Sequence, residues 1–529
     1  MSDERSESNR AVAQGADVPE LDVVASIDPN AAQPPQAAVG RSATGGVIWL
    51  TAQKWVIRIF SFVTIALLTR LLSPEDFGTL AAASTILPFF YLLADLGFAA
   101  YIVQVARTTE RMLSTAFWFS LSAGVVLCGL LWAIAPLMGG VFGNSDVVPV
   151  LRALSLWVIV TAIGSVPMAI MRREMRFGVI AGQGAAAAVV AQIVALVMAF
   201  TGFGVWALVA QTLVAPVIST ILIWISARWR PHWAFDRTAF GGMFRFGGQV
   251  LGVEFVAMLR AWGEAAVTSA TLGAAALGYM SVAQRLVQIV QDLTGSAIVP
   301  VTNVAFAKIR ESAERLQAAY LRALRLVYVV LSMPLTIVAV GAPLLVPILF
   351  GDGWEQSVPV AQVLALAGTL SVAAWLDHGL FYGIGKPGTW FVYALITDAV
   401  TLLTTIVTAR WGLVAIAWGF LGVAVCATVA RWFLVRRVLR ARLGSIVRPA
   451  GYLIVVVAVS GAGGWGVLLL TAALPTILSL GLVAATVAVL HFAVSLLLAR
   501  SALVDAAAMA AGTGLGARLP FLSRIGGVK

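Results

Sequence analysis

The sequence predicts an all-α integral membrane protein, and three observations carry that prediction. The chain of 529 residues is 60% hydrophobic and only 11% charged, with a mean hydropathy of +0.95, against roughly a quarter charged in soluble domains. Apolar runs long enough to cross a bilayer as helices, about 20 residues each, follow one another between clusters of Gly, Pro and charge. Lys and Arg concentrate in every second connection between those runs. A large soluble enzyme is thereby excluded, and little chain remains outside the runs for a separate catalytic domain. The net charge of +11 follows from basic loops and does not indicate a nucleic-acid partner.

Taken in order, residues 1–45 carry Asp3, Glu4, Glu7, Asp17, Glu20, Asp22 and Asp28 without an apolar stretch of signal-peptide length, and read as a disordered acidic cytoplasmic tail. Spans are predicted at 46–70, 78–104, 113–138, 149–171, 178–200, 204–226, 240–262, 277–305, 320–349, 356–384, 389–409, 411–434, 450–472 and 476–499, about fourteen in all. They divide into an N-terminal six-helix bundle (46–238), a C-terminal six-helix bundle (239–448), two additional transmembrane helices (449–500) and a cytoplasmic tail (501–529). Between the eighth and ninth spans, Lys308 to Arg325 is charged and amphipathic and suggests a helix lying on the membrane surface.

Orientation follows from charge. Arg107 and Arg111, Arg172, Arg173 and Arg176, Arg228, Arg230 and Arg237, Lys308, Arg310 and Arg315, Lys386, and Arg436 to Arg448 fall on one side. The connections around 139–148, 201–203, 263–276, 350–355 and 473–475 hold no Lys or Arg. The positive-inside rule then puts both termini of this multi-pass protein in the cytoplasm. An internal repeat supports the division into bundles. Leu72-Ser-Pro-Glu-Asp-Phe-Gly78 and Leu272-Gly-Ala-Ala-Ala-Leu-Gly278 match at an offset of about 200 residues, each just outside the first helix of its half. The sixth and twelfth spans, from Gly204 to Arg228 and from Gly412 to Arg436, match at a similar offset, as in parallel-repeat transporters.

Several motifs resemble one family in order. Thr69-Arg70-Leu-Leu-Ser-Pro-Glu-Asp-Phe-Gly78, Ala94-Asp95-Leu-Gly-Phe-Ala-Ala100 and Ser114-Thr-Ala-Phe-Trp118 are similar to the N-terminal signature of polysaccharide transporters, the Wzx-type flippases of the MOP superfamily. Arg172-Arg-Glu-Met-Arg-Phe177, Gly202-Phe-Gly-Val-Trp-Ala-Leu-Val-Ala210, Leu272-Gly-Ala-Ala-Ala-Leu-Gly-Tyr279 and Leu349-Phe-Gly-Asp-Gly-Trp354 continue the resemblance to about residue 440. It implies a MATE-like, lipid II flippase-like pair of bundles working by alternating access. The implied cargo is an undecaprenyl-diphosphate-linked oligosaccharide, translocated for exopolysaccharide, capsule or O-antigen synthesis. Implied partners are that lipid-linked oligosaccharide, membrane lipids, and a polysaccharide polymerase and co-polymerase. Where such relatives carry an Asn-x-x-Asp pattern in the seventh helix, this chain has Arg260-Ala-Trp-Gly-Glu264.

Ionisable residues inside apolar spans are costly and mark pathways or internal pairs. Lys54 and Asp95 come to similar depth, roughly 24 and 27 Å from the outer turn, and are expected to pair, leaving Arg58 to meet a lipid diphosphate. Lys54 and Arg58 snorkelling to cytoplasmic headgroups is the bland alternative. In the second half Arg260 and Arg285 form the facing cationic wall of a cavity, or else Arg285 pairs internally with Glu254. The expected substrate-binding set is Arg58, Arg260, Arg285 and Lys54; the expected ion-coupling set is Asp398, Asp95 and Glu254. Asp398, near mid-membrane with no basic residue on its own helix before Arg410, is the favoured proton or cation carrier. Asp377 and His378 are placed at the inner interface, and His491 in packing. Most of the 17 Trp, including Trp132, Trp229 and Trp354, read as an interfacial aromatic belt, with Trp262 and Trp375 left as candidate sugar contacts.

Only Cys128 and Cys426 occur, and His232, His378 and His491 are scattered, so neither a disulfide framework nor a metal site is expected. Nucleotide-binding, nucleophile-elbow and zinc-protease motifs are missing, so no cofactor and no catalytic residue is assigned. A small-molecule or multidrug antiporter of the same superfamily is the competing reading, and the pair of helices at 449–500 counts against it.

Overall fold

The computed structural model of the chain describes residues 57, 60–105 and 108–504, with backbone alone at 104, 239, 245–254 and 292–305. Every regular element among them is a helix. The first half comprises α1 (Phe60–Leu71), α2 (Pro74–Ser84), α3 (Leu87–Asp95), α4 (Phe98–Gln104), α5 (Glu110–Phe142), α6 (Val147–Leu154), α7 (Leu156–Arg173), α8 (Phe177–Phe200) and α9 (Val205–Ala227). The second comprises α10 (Arg237–Leu272), α11 (Ala274–Ile309), α12 (Ala313–Phe350), α13 (Ser357–Gly383), α14 (Pro387–Thr408) and α15 (Leu413–Leu439). Two more, α16 (Leu443–Leu470) and α17 (Thr476–Leu498), complete the described chain.

Local chemistry sets the boundaries. Ser73 and Asp76 form a reciprocal capping box before Pro74, with each side-chain oxygen accepting the other's backbone N–H. Thr109 and Ser312 accept from Met112 and Arg315 to start α5 and α12. The predicted second span is three helices. Pro88 opens α3 after a turn at Thr85–Ile86, and Leu96 and Gly97, at φ 47° and 71°, break the chain again before α4.

Among the described residues eleven stretches are long and apolar enough to cross a membrane, against the fourteen expected over the whole chain. The first predicted span is described from Phe60 only, as a twelve-residue apolar helix, Phe60–Leu71. The seventh and eighth correspond to α10 and α11, each 36 residues long, whose apolar lengths are interrupted by Arg260 and Glu264 and by Gln284, Arg285, Gln288 and Gln291. The surface helix expected over Lys308 to Arg325 is not a separate element. Ser312 starts a continuous α12 of 38 residues. Its amphipathic character arises because Leu316, Tyr320 and Leu324 are buried against the second bundle.

The halves meet through α2 and α11. Gly78 and Gly278 lie against each other so closely that a Cβ on Gly78 would stand 1.8 Å from the Ala274 carbonyl oxygen. One on Gly278 would stand 2.0 Å from that of Pro74. The contact is reciprocal, and it joins the two copies of the repeat read from sequence. α16 and α17 pack on each other and on α12, so the additional pair leans on the second bundle. Tyr452 and Ser495, 2.7 Å apart by their hydroxyls, and His491 Nε2, 3.0 Å from the Val329 carbonyl, hold that packing.

Candidate functional site

Around the Gly78–Gly278 crossing the sequence motifs converge. Trp354, fully buried, donates its indole N–H to the Thr69 carbonyl at 2.9 Å and meets Phe77 and Tyr279 edge to face. Arg70 donates to the Ile348 carbonyl at 2.9 Å, and Ser357 to that of Tyr279 at 3.0 Å. The turn that delivers Trp354 uses Gly351 at φ 84°, where a Cβ would stand 2.9 Å from the Arg70 side chain. The turn is steadied by Glu355, which accepts from the Gly353 N–H at 3.0 Å. That bond and one from its own N–H hold the Glu355 carboxyl below its ordinary value. A second tie lies alongside, with Asn144 donating to Thr79 and Ser269 to the Phe142 carbonyl. Trp354 is thus a joint residue and not part of an interfacial belt. Trp229 is likewise buried, donating to Glu110, whereas Trp132 is exposed with Arg152 4.2 Å over its ring.

About 10–25 Å along the helices from this crossing, the second bundle encloses a cavity of about 650 Å³ between α10, α11, α13, α14 and α15. Gln284, Gln288 and Gln291, at i, i+4 and i+7, give α11 one amide face towards it. Trp375, Tyr393, Ser371, Thr397 and Thr401 line other walls. Arg260 stands between two carboxylates, 2.6 Å from Glu264 and 2.8 Å from Asp398. Three charged groups from α10 and α14 therefore share one wall, with one negative charge in excess when both acids are ionised.

A second cluster adjoins the cavity through Arg431. Arg431 on α15 lies 3.3 Å from Asp377 on α13, and Tyr320 on α12 donates to the same carboxylate at 2.6 Å. Arg431 also donates to the Leu370 carbonyl at 2.9 Å and to Thr428 at 2.7 Å. Asp377 and Arg431 are 2% and 3% exposed, so this ionic pair is inside the protein and not in water.

The expected residues are distributed as follows. Arg260 and Asp398 are brought together, which corrects both the free cationic wall and the lone carboxylate: each is the other's counter-ion across two helices. Arg285 is exposed and is not among the residues lining the cavity. Asp377 is six residues before the C-terminal end of α13, Gly383, and is buried and paired with Arg431. Asp95 is buried at the end of α3, near Ser165 and the Gly97 and Ala99 N–H groups freed by the chain break. Lys54 and Arg58, and the side chain of Glu254, lie outside the described residues. Trp375 lines the cavity, whereas Trp262 packs on Phe142 beside a small apolar hollow of about 170 Å³ with Phe89 and Phe255. Arg431 was missed by the sequence reading, although an arginine inside the apolar run 411–434 was a signal for it.

A family model described as "Polysaccharide biosynthesis protein" matches residues 67–359, more than half of the chain. The chain belongs to that family. In this polysaccharide biosynthesis protein the matched segment contains the whole crossing, from Thr69 through Gly78 and Gly278 to Trp354. Asp377, Asp398 and Arg431 lie beyond it. The chain is similar to the succinoglycan biosynthesis transport protein ExoT of Rhizobium meliloti (strain 1021), 25% identical over 362 residues, which are 68% of this chain and 73% of that protein. It is also similar to the lipopolysaccharide biosynthesis protein WzxC of Escherichia coli (strain K12), 26% identical over 329 residues, 61% of this chain and 66% of that one.

Among solved structures, the lipid II flippase MurJ in an inward closed conformation aligns with a TM-score of 0.68 at 12% identity, over 86% of this chain and 99% of that one. An inward-facing multidrug transporter of the MATE family, MOP superfamily, aligns with a TM-score of 0.61 at 14% identity, over 76% and 98%. Those likenesses establish the fold, and with the family match they bear out the resemblance to MOP-superfamily polysaccharide transporters.

Proposed function

We propose that this polysaccharide biosynthesis protein is a flippase, carrying undecaprenyl-diphosphate-linked oligosaccharide units across the bacterial inner membrane by alternating access between its two halves. The observation that carries the reading is the reciprocal crossing of α2 and α11. It brings backbone against backbone between the two halves, while a polar cavity lies elsewhere in the second half. An amphiphilic cargo needs such an arrangement: a hydrated path for its head, closed at one end at a time, beside a lipid-exposed surface for its tail. The relatives named for succinoglycan and lipopolysaccharide biosynthesis support the cargo class. The cavity's amide face and Trp375 suit a glycan, and Arg260, Arg285, Arg58 and Lys54 remain the proposed cationic partners of the diphosphate. Depleting the protein in cells that make the polymer is expected to leave lipid-linked repeat units on the inner leaflet. Normal surface polymer after depletion, or export of small cationic dyes instead, overturns the proposal.

Both termini and the arginine-rich end face the cytoplasm in this proposal, and the crossing faces outward. Single cysteines at Ser145 and Asp352, in a background lacking Cys128 and Cys426, are expected to react with an impermeant maleimide in intact cells. Cysteines at His232 and Arg310 are expected to react only after the inner membrane is opened. Labelling of His232→Cys from outside reverses the orientation.

Asp398 is proposed as the coupling residue, with Asp95 and Glu254 as further candidates. The wall of Arg260, Glu264 and Asp398 holds one carboxylate more than its guanidinium can neutralise, and a proton or a monovalent cation balances it. Asp398→Asn is expected to slow gradient-driven transport in proteoliposomes by about tenfold, the loss tied to roughly 1.4 kcal/mol, while leaving gradient-free exchange of cargo intact. An unchanged response to the gradient removes Asp398 from coupling. Arg260→Ala leaves Glu264 and Asp398 facing each other, and Arg260→Ala with Asp398→Ala together is expected to recover part of the lost abundance.

A further inference from the structure

At the arginine-rich end of the second half, the two additional helices build a hollow that the flippase reading does not use. Two cavities, of about 650 and 730 Å³, flank the chain as it leaves α17 at Leu498–Ala502, and they share Leu321 and Arg325. Their basic residues are Arg322 and Arg325 from α12 and Arg448 from α16, and Glu314 is the single acid among the lining residues. The remaining wall of the larger cavity is apolar, with Tyr452, Val455 and Leu498 leading away from the charges.

Depth gives this arrangement its meaning. α12 and α16 end at the opposite side of the membrane, after Phe350 and Leu470. At 1.5 Å per residue, a hydrocarbon core of about 30 Å takes up roughly the last 20 residues of each helix. Arg448 and Arg325 then fall about 5 and 9 Å outside the core, within the phosphate and headgroup layer, on two different helices lining one hollow. Tyr452 and Val455, one and two turns past Arg448, enter the core. A guanidinium pair at phosphate depth with an apolar channel running inward is complementary to one chemistry: a phosphate carrying a short-headed, acyl-chained anchor.

We infer that the hollow between α12, α16 and α17 is a binding site for an anionic glycerophospholipid, whose phosphate is held by Arg325 and Arg448 and whose acyl chains lie along Tyr452 and Val455. The site exists because the two additional helices are present, since they supply Arg448 and the apolar wall. It is separate from the cavity around Arg260, and it stands or falls without reference to transport.

The test uses the full-length protein in nanodiscs of phosphatidylcholine with and without phosphatidylglycerol, followed by native mass spectrometry to count retained lipids. The wild-type protein is expected to retain phosphatidylglycerol in preference to phosphatidylcholine. Arg325→Gln with Arg448→Gln is expected to lose that preference by about tenfold or more. Arg436→Gln with Arg437→Gln, an exposed pair at the same end, is expected to keep it. Val455→Trp fills the apolar part without altering charge, at a side chain already 44% exposed, and is expected to reduce retention as well. Equal retention by the first pair and the wild type overturns the inference. Equal loss in the two arginine pairs also does so, because charge alone would then suffice. Displacement of phosphatidylglycerol by equimolar undecaprenyl phosphate assigns the hollow to the carrier lipid and overturns the inference too.

Discussion

Gly78→Val is expected to cut polymer export sharply while leaving the protein folded in the membrane. The Cβ of any residue at Gly78 lands 1.8 Å from the Ala274 carbonyl oxygen and 3.0 Å from the Gly278 nitrogen, and both are backbone atoms that no rotamer change can move away. α2 and α11 must separate, and with them the contacts of Trp354, Asn144 and Ser269. Overpacking of this kind costs about 1–3 kcal/mol in an ordinary core and more where only backbone can yield. In the proposed alternating-access cycle the closed arrangement is one of two states, and a shift of that size changes its population by roughly 5- to 150-fold. Surface polymer should therefore fall by at least about fivefold. A cysteine at Ser357, buried behind the crossing, should become reactive to an impermeant maleimide only in the Gly78→Val background. Gly129→Val, at a position with no atom within 4 Å of a new Cβ, is the matched control and should export normally. Normal export by Gly78→Val means the crossing is not a gate.

The second large effect is on stability. Asp377→Ala leaves the Arg431 guanidinium 3% exposed and without its counter-ion. Removing one member of a buried pair typically costs about 3–5 kcal/mol, against about 1.5–3 kcal/mol for losing a single hydrogen bond to a charged group, as in Tyr320→Phe. Asp377→Ala and Arg431→Ala should each lower the unfolding midpoint in detergent sharply, and Tyr320→Phe by less. Asp377→Leu with Arg431→Leu together should be less damaging than the sum of the singles, since no isolated charge remains inside. Strict additivity would show that the two side chains do not act as a pair.

How much of this was legible beforehand depends on which force sets each feature. Bilayer thickness fixes span length from local composition alone, so Phe177–Phe200 and Val205–Ala227 stand where the runs 178–200 and 204–226 put them. The repeat was legible too, as a spacing, although only the structure shows its two glycines in contact. Pairings were not. Asp398 has no basic neighbour on its own helix, and its partner Arg260 comes from a helix whose rotation in the bundle is set by packing, not by sequence proximity. Arg431 was visible as a charge in an apolar run, but its counter-ion Asp377 lies on another helix, where Tyr320 from a third donates to the same carboxylate. Trp354 sits at a helix end, where an interfacial tryptophan and a buried one look alike in sequence. Its partner carbonyl at Thr69 is 285 residues away.

The reciprocity of the Gly78–Gly278 contact places it in a class usually found between separate subunits. Each half offers the other the same patch in the same register, which is the geometry of an isologous dimer. In a true homodimer every substitution is made twice, and the two sides stay alike. Here one chain carries both sides, so they differ around the shared contact: Glu75-Asp76-Phe77 corresponds in sequence to Ala275-Ala276-Leu277. The offset that matches the glycines also matches Arg260 with Phe60 and Glu264 with Thr64. Thr64, Gln192 and Ser61 form an uncharged hydrogen-bonded network in the first half, with distances of 2.6 and 3.1 Å. A tethered dimer of this sort keeps a reciprocal contact while the interiors on its two sides become chemically unlike.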